Sequence, residues 1–399
     1  MRSRKSDFIL NTITYLCSSI SIVVLLTIII FIFSKGIKMI NWDLLVNDYQ
    51  TKNYLVTLKK SDKGTYPKPN NLNELVYWSN NWGVGVVDYI AQDGGNYILI
   101  EKIANDSPFL ELIDRDNQKV SLETGSALIR LNYFDIENKI NYAGSQLDQT
   151  ALEFINSLDK AEGIESLYFQ TLGGGIRGSL IATLWLILIA LLIVLPVGLA
   201  TAIYLNEYAK KNRFSRMLRY SIETLSGVPS IIFGLMGVAV FYPVTTIFGA
   251  NGLSILLGGM TMSVVLLPTV IRATQEAFLV VPQELKDGSL ALGANLSQTI
   301  FKIIIPYALP GILTGVLLSV GRIIGESAAL IYTMGTFAND YPKVLNSGSS
   351  LAVHIWSIMS GEQPNFELAA GISIVILVTI FILNFIVKFV SKKVVKVGS

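Results

Sequence analysis

The chain has 399 residues, 51% of them hydrophobic and only 15% charged, a composition that argues against an ordinary soluble protein and for a membrane one. A formal charge of +2 gives no footing for nucleic acid. A single cysteine (Cys17) and a single histidine (His354) exclude a disulfide framework and a multi-histidine metal site, leaving little capacity for covalent chemistry.

A helix needs about 20 apolar residues to cross the hydrocarbon core of a bilayer. Six segments reach that length, at 12–33, 179–205, 220–247, 252–272, 308–335 and 367–390. The first follows MRSRKSD, which invites a signal-peptide reading. Its apolar run is longer than a signal core and FSKGIKM offers no small-residue cleavage site, so an uncleaved anchor is expected.

Residues 35–172 form a polar insertion in which acidic residues outnumber basic ones. Trp42, Asp43, Leu44 and Leu45 are expected close to the membrane, and 51–75, with Pro67 and Pro69, is expected to be mobile. GVGVVDYI, NYILIEKI, FLELIDR and SALIRLNYF read as short strands. Turn signals separate them at Asp93-Gly94-Gly95, Asn105-Asp106-Ser107-Pro108 and Asp116-Asn117. Residues 145–168 have helical periodicity, with Leu152, Ile155 and Leu158 on the apolar side. The expectation is a small α+β domain that leads by a helix back to the membrane.

Lysine and arginine placement sets the orientation. Arg2, Arg4 and Lys5 precede the first span; Lys210, Lys211, Arg213, Arg216 and Arg219 follow the second; Lys388, Lys392, Lys393 and Lys396 close the chain. Six spans put these regions on one side, the cytoplasm. The insertion then lies outside and the loop 273–307 inside. The expected divisions are 1–34 (N-terminus and first helix), 35–172 (inserted domain), 173–391 (core with five further helices) and a tail at 392–399.

Residues Gly173 to Gly178, GGGIRG, formally satisfy GxGxxG, but a membrane span follows at once instead of a βαβ unit, so a flexible link is expected rather than nucleotide binding. No GxxxxGK[ST] sequence is present, so a P-loop ATPase would come from a partner. Gly227, Pro229 and Gly234 in the third span predict a broken or kinked helix whose freed backbone groups could contact substrate. Glu223 beside them reads as interfacial or capping. Arg272 ends the fourth span and reads either as a snorkelling arginine or as a contact at a cytoplasmic exit or coupling site.

In the fifth span Arg322 and Glu326 stand four apart, a spacing that shares one helix face. Charges within a membrane face a partner or a wet cavity. Two readings stand: a neutralising salt pair that locks helices, or Arg322 lining an anion path with Glu326 orienting it, since the guanidinium fork suits oxyanions. Gly321 and Gly325 beside them would permit close helix contact. His354, in an outer loop, reads as a surface or packing residue.

Between two apolar segments lies DGSLALGANLSQTIFKIIIP, which resembles the cytoplasmic coupling loop of ABC importer permeases, written EAA-x3-G-x9-I-x-LP. Asp287, Gly288 and Ser289 stand in the EAA places, and Gly293, Ile303, Ile305 and Pro306 fall at the matching spacings. Ala291, Leu292 and Ala294 supply a compact apolar knob for a groove on an ATPase, a large residue at Gly293 would obstruct the approach, and Asp287 would cap or charge the helix start.

With GSLIATLWLILIALLIVLPVGLATAIYLNEYA, SGVPSIIFGLMG, LLPTVIRATQEAFLVVPQELKDGSLALGA and GRIIGESAALIYTMGT, the chain resembles the phosphate-specific ABC transporter permeases, nearer the PstA type than the PstC type. The likeness covers 173 to about 390 and the first span; Ala329 stands where that family has proline. It implies an all-α polytopic membrane protein with six transmembrane helices of the type I ABC importer permease fold, carrying an inserted extracytoplasmic α+β domain. It makes Arg322, Glu326 and Arg272 the family's path residues. It implies a PstC-type second permease, a PstB-type ATPase pair that binds ATP and Mg, a PstS-type phosphate-binding protein and a bacterial inner-membrane location, with both termini cytoplasmic. No cofactor is expected in this chain. The competing readings are a permease for molybdate, sulfate or phosphonate, an ATP-independent anion transporter, and a membrane-anchored sensor, for which the chain lacks a sizeable cytoplasmic output module.

Overall fold

The computed structural model describes residues 4–397 apart from 60–62, 70–71, 91–94, 172, 211 and 362–363. Arg2, Lys211 and the Asp93-Gly94 turn signal lie outside the described residues, as do the side chains of Arg4, Lys5, Lys392, Lys393 and Lys396. The chain divides into two compact units, 1–49 with 175–399, and 50–174. The first unit opens with α1 (Arg4–Gly36) and a short α2 (Trp42–Val46), capped by Asn41, whose Oδ1 accepts from the Leu44 amide at 2.8 Å. The insertion was expected from 35, but 35–49 belong with the membrane helices. Leu44 is buried in a cluster with Ile176, Leu351, Leu368 and Ile372, which ties α2 to that unit.

Unit 50–174 is an antiparallel sheet with one helix. Its described strands are β1 (Lys52–Leu58), β2 (Tyr77–Ser79), β3 (Val84–Ile90), β4 (Asn96–Ile103), β5 (Leu112–Asp114), β6 (Lys119–Val120), β7 (Ser126–Phe134), β8 (Ile140–Ala143) and β9 (Gly163–Thr171). Their order is β2-β3-β4-β7-β9-β1-β5-β6, with β8 also on β7. Strands β7 and β9 bury Leu131 with Tyr133 and Leu167 with Phe169 at alternate positions, and Ile164 beyond a second register shift between Asn132 and Tyr133. A register shift between Leu128 and Arg130 lets Leu128 face the same core. Helix α3 (Ala151–Lys160) starts at a capping box between Thr150 and Glu153 and buries Phe154, Ile155 and Leu158. Trp82, fully buried, donates from Nε1 to the Leu158 carbonyl at 2.9 Å.

Two expectations fail in this unit. The helix expected over 145–168 is limited to α3; from Gly163 the chain returns as the interior strand β9, not as a helix. Residues 51–75 are not mobile throughout, since Lys52–Leu58 is β1, paired on one side with β9 and on the other with β5. Lys52 pairs with Thr171, so the first and last rungs of the unit coincide.

The rest of the first unit comprises α4 (Arg177–Ile203) continued by a π turn at Tyr204–Tyr208, α5 (Arg213–Gly227), α6 (Ser230–Ile247), α7 (Ile255–Leu279), α8 (Gln283–Ala291), α9 (Leu296–Thr299) and a second π turn at Ile300–Ile304, followed by α10 (Ile305–Gly325), α11 (Ala328–Thr333), α12 (Leu351–Ser360) and α13 (Phe366–Val397). Among the described residues six helices are long and apolar enough to cross a membrane, in the six places expected. The third segment, however, is two helices. Pro229 lacks an amide and forces Val228 out of the helical region (φ −75°, ψ 130°), so α5 stops there and α6 restarts. The fourth runs on to Leu279, and the fifth breaks at Glu326-Ser327.

Small residues set the helix spacing. A Cβ on Gly311 or Gly315 of α10 would stand 2.7 or 2.5 Å from the Cβ of Ala277 or Ala273 on α7. The GGGIRG stretch is likewise tightly held rather than flexible at its end: the Gly175 amide donates to the Asp48 carbonyl at 3.1 Å, and a Cβ on Gly178 would meet the Asn339 carbonyl oxygen at 2.1 Å.

Candidate functional site

The segment with the coupling spacing is two helices joined by a tight turn. Helix α8 ends in a Schellman motif: the Ala294 amide donates to the Ser289 carbonyl (3.2 Å) and the Gly293 amide to that of Leu290 (3.0 Å), with Gly293 at φ +84°. Helix α9 then starts at a reciprocal cap between Asn295 and Gln298. Gly293 is demanded by this backbone conformation. A Cβ there meets nothing within 4 Å, so the expected obstruction has no counterpart inside the chain. Leu292 is 91% exposed beside exposed Ala291 and half-buried Ala294, which leaves the apolar knob uncovered. Asp287 stands in the body of α8, not at its start, and accepts from Gln283 Nε2 at 3.1 Å; Glu284 holds the first turn. Gly288 is exposed, while Ser289 faces inward with its Oγ 2.9 Å from Thr299 Oγ1. Ile303 lies in the second π turn and Pro306 in the first turn of α10.

Arg322 is half-buried near the end of α10 and donates from Nη1 to Thr269 Oγ1 on α7 at 3.4 Å. Glu326 is not on the same helix face. It is already extended (φ −81°, ψ 125°) past the end of α10, and its Oε1 accepts from the Ala329 amide at 3.3 Å, at the start of α11. Among the described residues no ion pair joins the two. Gly321 and Gly325 would give a Cβ open space, so they do not thin a helix contact within this chain. Arg272 is exposed and well inside α7 rather than at its end. Glu223 lies within α5, exposed and not capping.

The expected helix break contains Gly227, the last residue of α5, and Pro229, but not Gly234, which sits inside α6 against the Ala329 backbone. His354 is on α12, not in a loop, and is 1% exposed. Its Nδ1 is 2.8 Å from Ser179 Oγ, Ser179 Oγ is 3.0 Å from Ser349 Oγ, and the Tyr49 ring meets the imidazole edge-on at 4.4 Å. Burial pushes its pKa down to about 4, so it is neutral at ordinary pH.

Sequence reading missed three contacts. Thr269 faces Arg322; Lys286 on α8 pairs with Glu207 at 2.9 Å; and Tyr208 Oη lies 3.1 Å from Ser297 Oγ on α9. For the last two the signal was the polar NEY that ends the apolar run of α4.

Residues 194–396, just over half the chain, match the model of the binding-protein-dependent transport system inner membrane component family. The chain belongs to that family. As a binding-protein-dependent inner membrane component it is a multi-pass transport subunit and not the ATPase. It is 33% identical over 258 residues to the probable ABC transporter permease protein YqgI of Bacillus subtilis, covering 59% of this chain and 86% of that one. It is 31% identical over 217 residues to the phosphate transport system permease protein PstA 1 of Mycobacterium tuberculosis, covering 54% and 70%. Against the PstA homolog of Mycoplasma pneumoniae it is 37% identical over 180 residues, 45% of this chain but only 28% of that protein. The stretch matched to the transport component begins inside α4, so the unit 50–174 stands apart from it, whereas α7 to α10 with Arg322 and the coupling segment lie wholly within.

Proposed function

We propose that this chain is the permease subunit of an ATP-driven importer of inorganic phosphate and forms half of its translocation path. The observation that carries the reading is Arg322. It is a half-buried guanidinium on an apolar helix whose contact is a neutral hydroxyl, in a chain similar to phosphate transport permeases. Among the described residues no carboxylate pairs with it; such an arginine offers an oxyanion a bidentate site, and a hydroxyl partner orients it without competing for its charge. The site has to be transient, because an anion held too tightly would not leave.

The remaining parts follow from this reading. A PstC-type permease completes the path. A PstB-type ATPase pair, binding ATP and Mg, seats the exposed knob at Leu292. A PstS-type protein delivers phosphate outside. The chain sits in a bacterial inner membrane with both termini cytoplasmic, and unit 50–174 is extracytoplasmic, where docking of the binding protein suits it better than capture of phosphate. Arg272, exposed on α7, and the backbone between Gly227 and Pro229 are further places where the anion would pass. ATP binding moves 273–307 and opens the path outward; hydrolysis returns it inward.

The test is uptake of labelled phosphate into proteoliposomes holding this chain with its second permease, ATPase and binding protein. Uptake that requires ATP, and that Arg322→Ala abolishes while ATP hydrolysis continues, is the expected result. Full uptake by this chain alone without ATP would refute the reading, and ATP-driven uptake of sulfate or molybdate instead would change the cargo.

A further inference from the structure

Three membrane helices meet the segment 280–304, and they meet it in different ways. Helix α7 runs into it and α10 runs out of it, both through the covalent chain. Helix α4 is not continuous with it and is held by side chains alone. Glu207 Oε1, in the π turn that ends α4, lies 2.9 Å from Lys286 Nζ on α8; the two side chains are only 9% and 15% exposed. The same oxygen accepts from Asn206 Nδ2 at 2.8 Å, which fixes the carboxylate. The next residue, Tyr208, reaches Ser297 on α9. Adjacent residues of α4 therefore hold one helix each of the coupling segment.

On α8, Lys286 and Ser289, one turn apart, are engaged by Glu207 and Thr299, while Leu285 and, just past the helix end, Leu292 are exposed. The segment therefore carries uncovered apolar side chains that can receive a push beside polar ones that are fastened and can deliver it. Both fastenings start from the first π turn, closed by Ala209 N to Tyr204 O (2.7 Å); a second, closed by Ile305 N to Ile300 O, joins α9 to α10. Leu205 from the first turn and Ile300 and Ile304 from the second share one apolar cluster with Phe278 and Val281. Such over-long turns recur at functional sites and give a helix a place to change register.

We propose that Glu207 is a positioning residue of the transport cycle: its buried pair with Lys286, seconded by Tyr208 and Ser297, carries the movement of α8 and α9 into α4. Opening a buried ion pair leaves two uncompensated charges, so the pair stays closed through the stroke. The change of angle is taken up in the two π turns. This rests on reading 273–307 as the ATPase-coupling loop.

The experiment measures phosphate uptake and ATP hydrolysis together in the reconstituted complex. Glu207→Gln and Lys286→Met should each lower uptake per ATP hydrolysed by about tenfold, since loss of one partner of a buried pair is strongly felt, while hydrolysis continues. Exchanging the charges, Glu207→Lys with Lys286→Glu, should restore most of the ratio. If uptake and hydrolysis fall together at an unchanged ratio, the pair is only structural and the proposal fails. Should a single variant not assemble, the neutral pair Glu207→Gln with Lys286→Met leaves no lone buried charge; an unaltered ratio there overturns the proposal and a lowered one supports it. An unaltered complex with no ATP-dependent uptake refutes the coupling reading itself and this proposal with it, a failure distinguishable because it needs no substitution.

Discussion

A Cβ placed on Gly234 of α6 would stand 2.8 Å from the carbonyl oxygen of Ala329 on α11 and 2.9 Å from its Cα. The two backbones are in direct contact, just after the helix break at Glu326-Ser327. Backbone cannot move aside as a side-chain tip can, so this contact fixes where α11 lies and with it the Glu326 carboxylate that caps it.

Gly234→Ala should therefore force α6 and α11 apart, at the ~1–3 kcal/mol typical of overpacking. The check is the melting temperature of the detergent-purified protein. Gly227→Ala is the control: its methyl meets nothing within 4 Å, and no loss is expected.

Gly293→Ala tests conformation rather than space. The added methyl has no neighbour, but φ +84° costs a non-glycine residue about 1–2 kcal/mol. The Schellman turn between α8 and α9 should loosen, and uptake should fall. Gly293→Asn should retain more uptake than Ala, because asparagine visits this region more readily. Less uptake with Asn than with Ala would show that bulk, not backbone conformation, matters here.

His354 predicts an acid sensitivity with a definite sign. The unfolded chain binds the proton at about 6.5 and the folded chain only near 4, so between these values the unfolded state holds more protons. The stabilisation is complete above 6.5 and is lost as pH falls towards 4, amounting to about 3 kcal/mol in total. Melting curves of the wild type and His354→Asn across that range are the measurement. The wild type should lose stability the more steeply as pH falls.

Trp82→Ala should open unit 50–174 without dissolving the helices. The indole is fully buried, bonds the end of α3 and meets Phe109 edge-on at 6.3 Å, so its removal should cost ~3–5 kcal/mol. Limited proteolysis should cut within 50–174 while a fragment from 175 onward persists.

The spans were legible because each is a long apolar run, and length is what a bilayer demands. The break at Pro229 was legible because proline announces it. The break at Glu326-Ser327 was not, since neither residue is a helix breaker and packing of α11 against α6 sets it. Strand β9 was misread because the helical spacing of Leu152, Ile155 and Leu158 was extended through 163–168, which pair instead as an interior strand. In the coupling segment the spacing of Gly293, Ile303 and Pro306 could be read directly. Its fastening could not, because Lys286 and Glu207 lie 79 residues apart and no local pattern links them.

The coincidence of first and last rungs in unit 50–174 makes it a cassette. Lys52 and Thr171 face each other across one antiparallel rung, where opposite Cα atoms sit roughly 5 Å apart. The membrane unit keeps its own ends together, with Asp48 bonded to Gly175. A lineage could thus acquire or discard everything between those ends in one step, trading a hairpin for a whole domain, without asking any transmembrane helix to move.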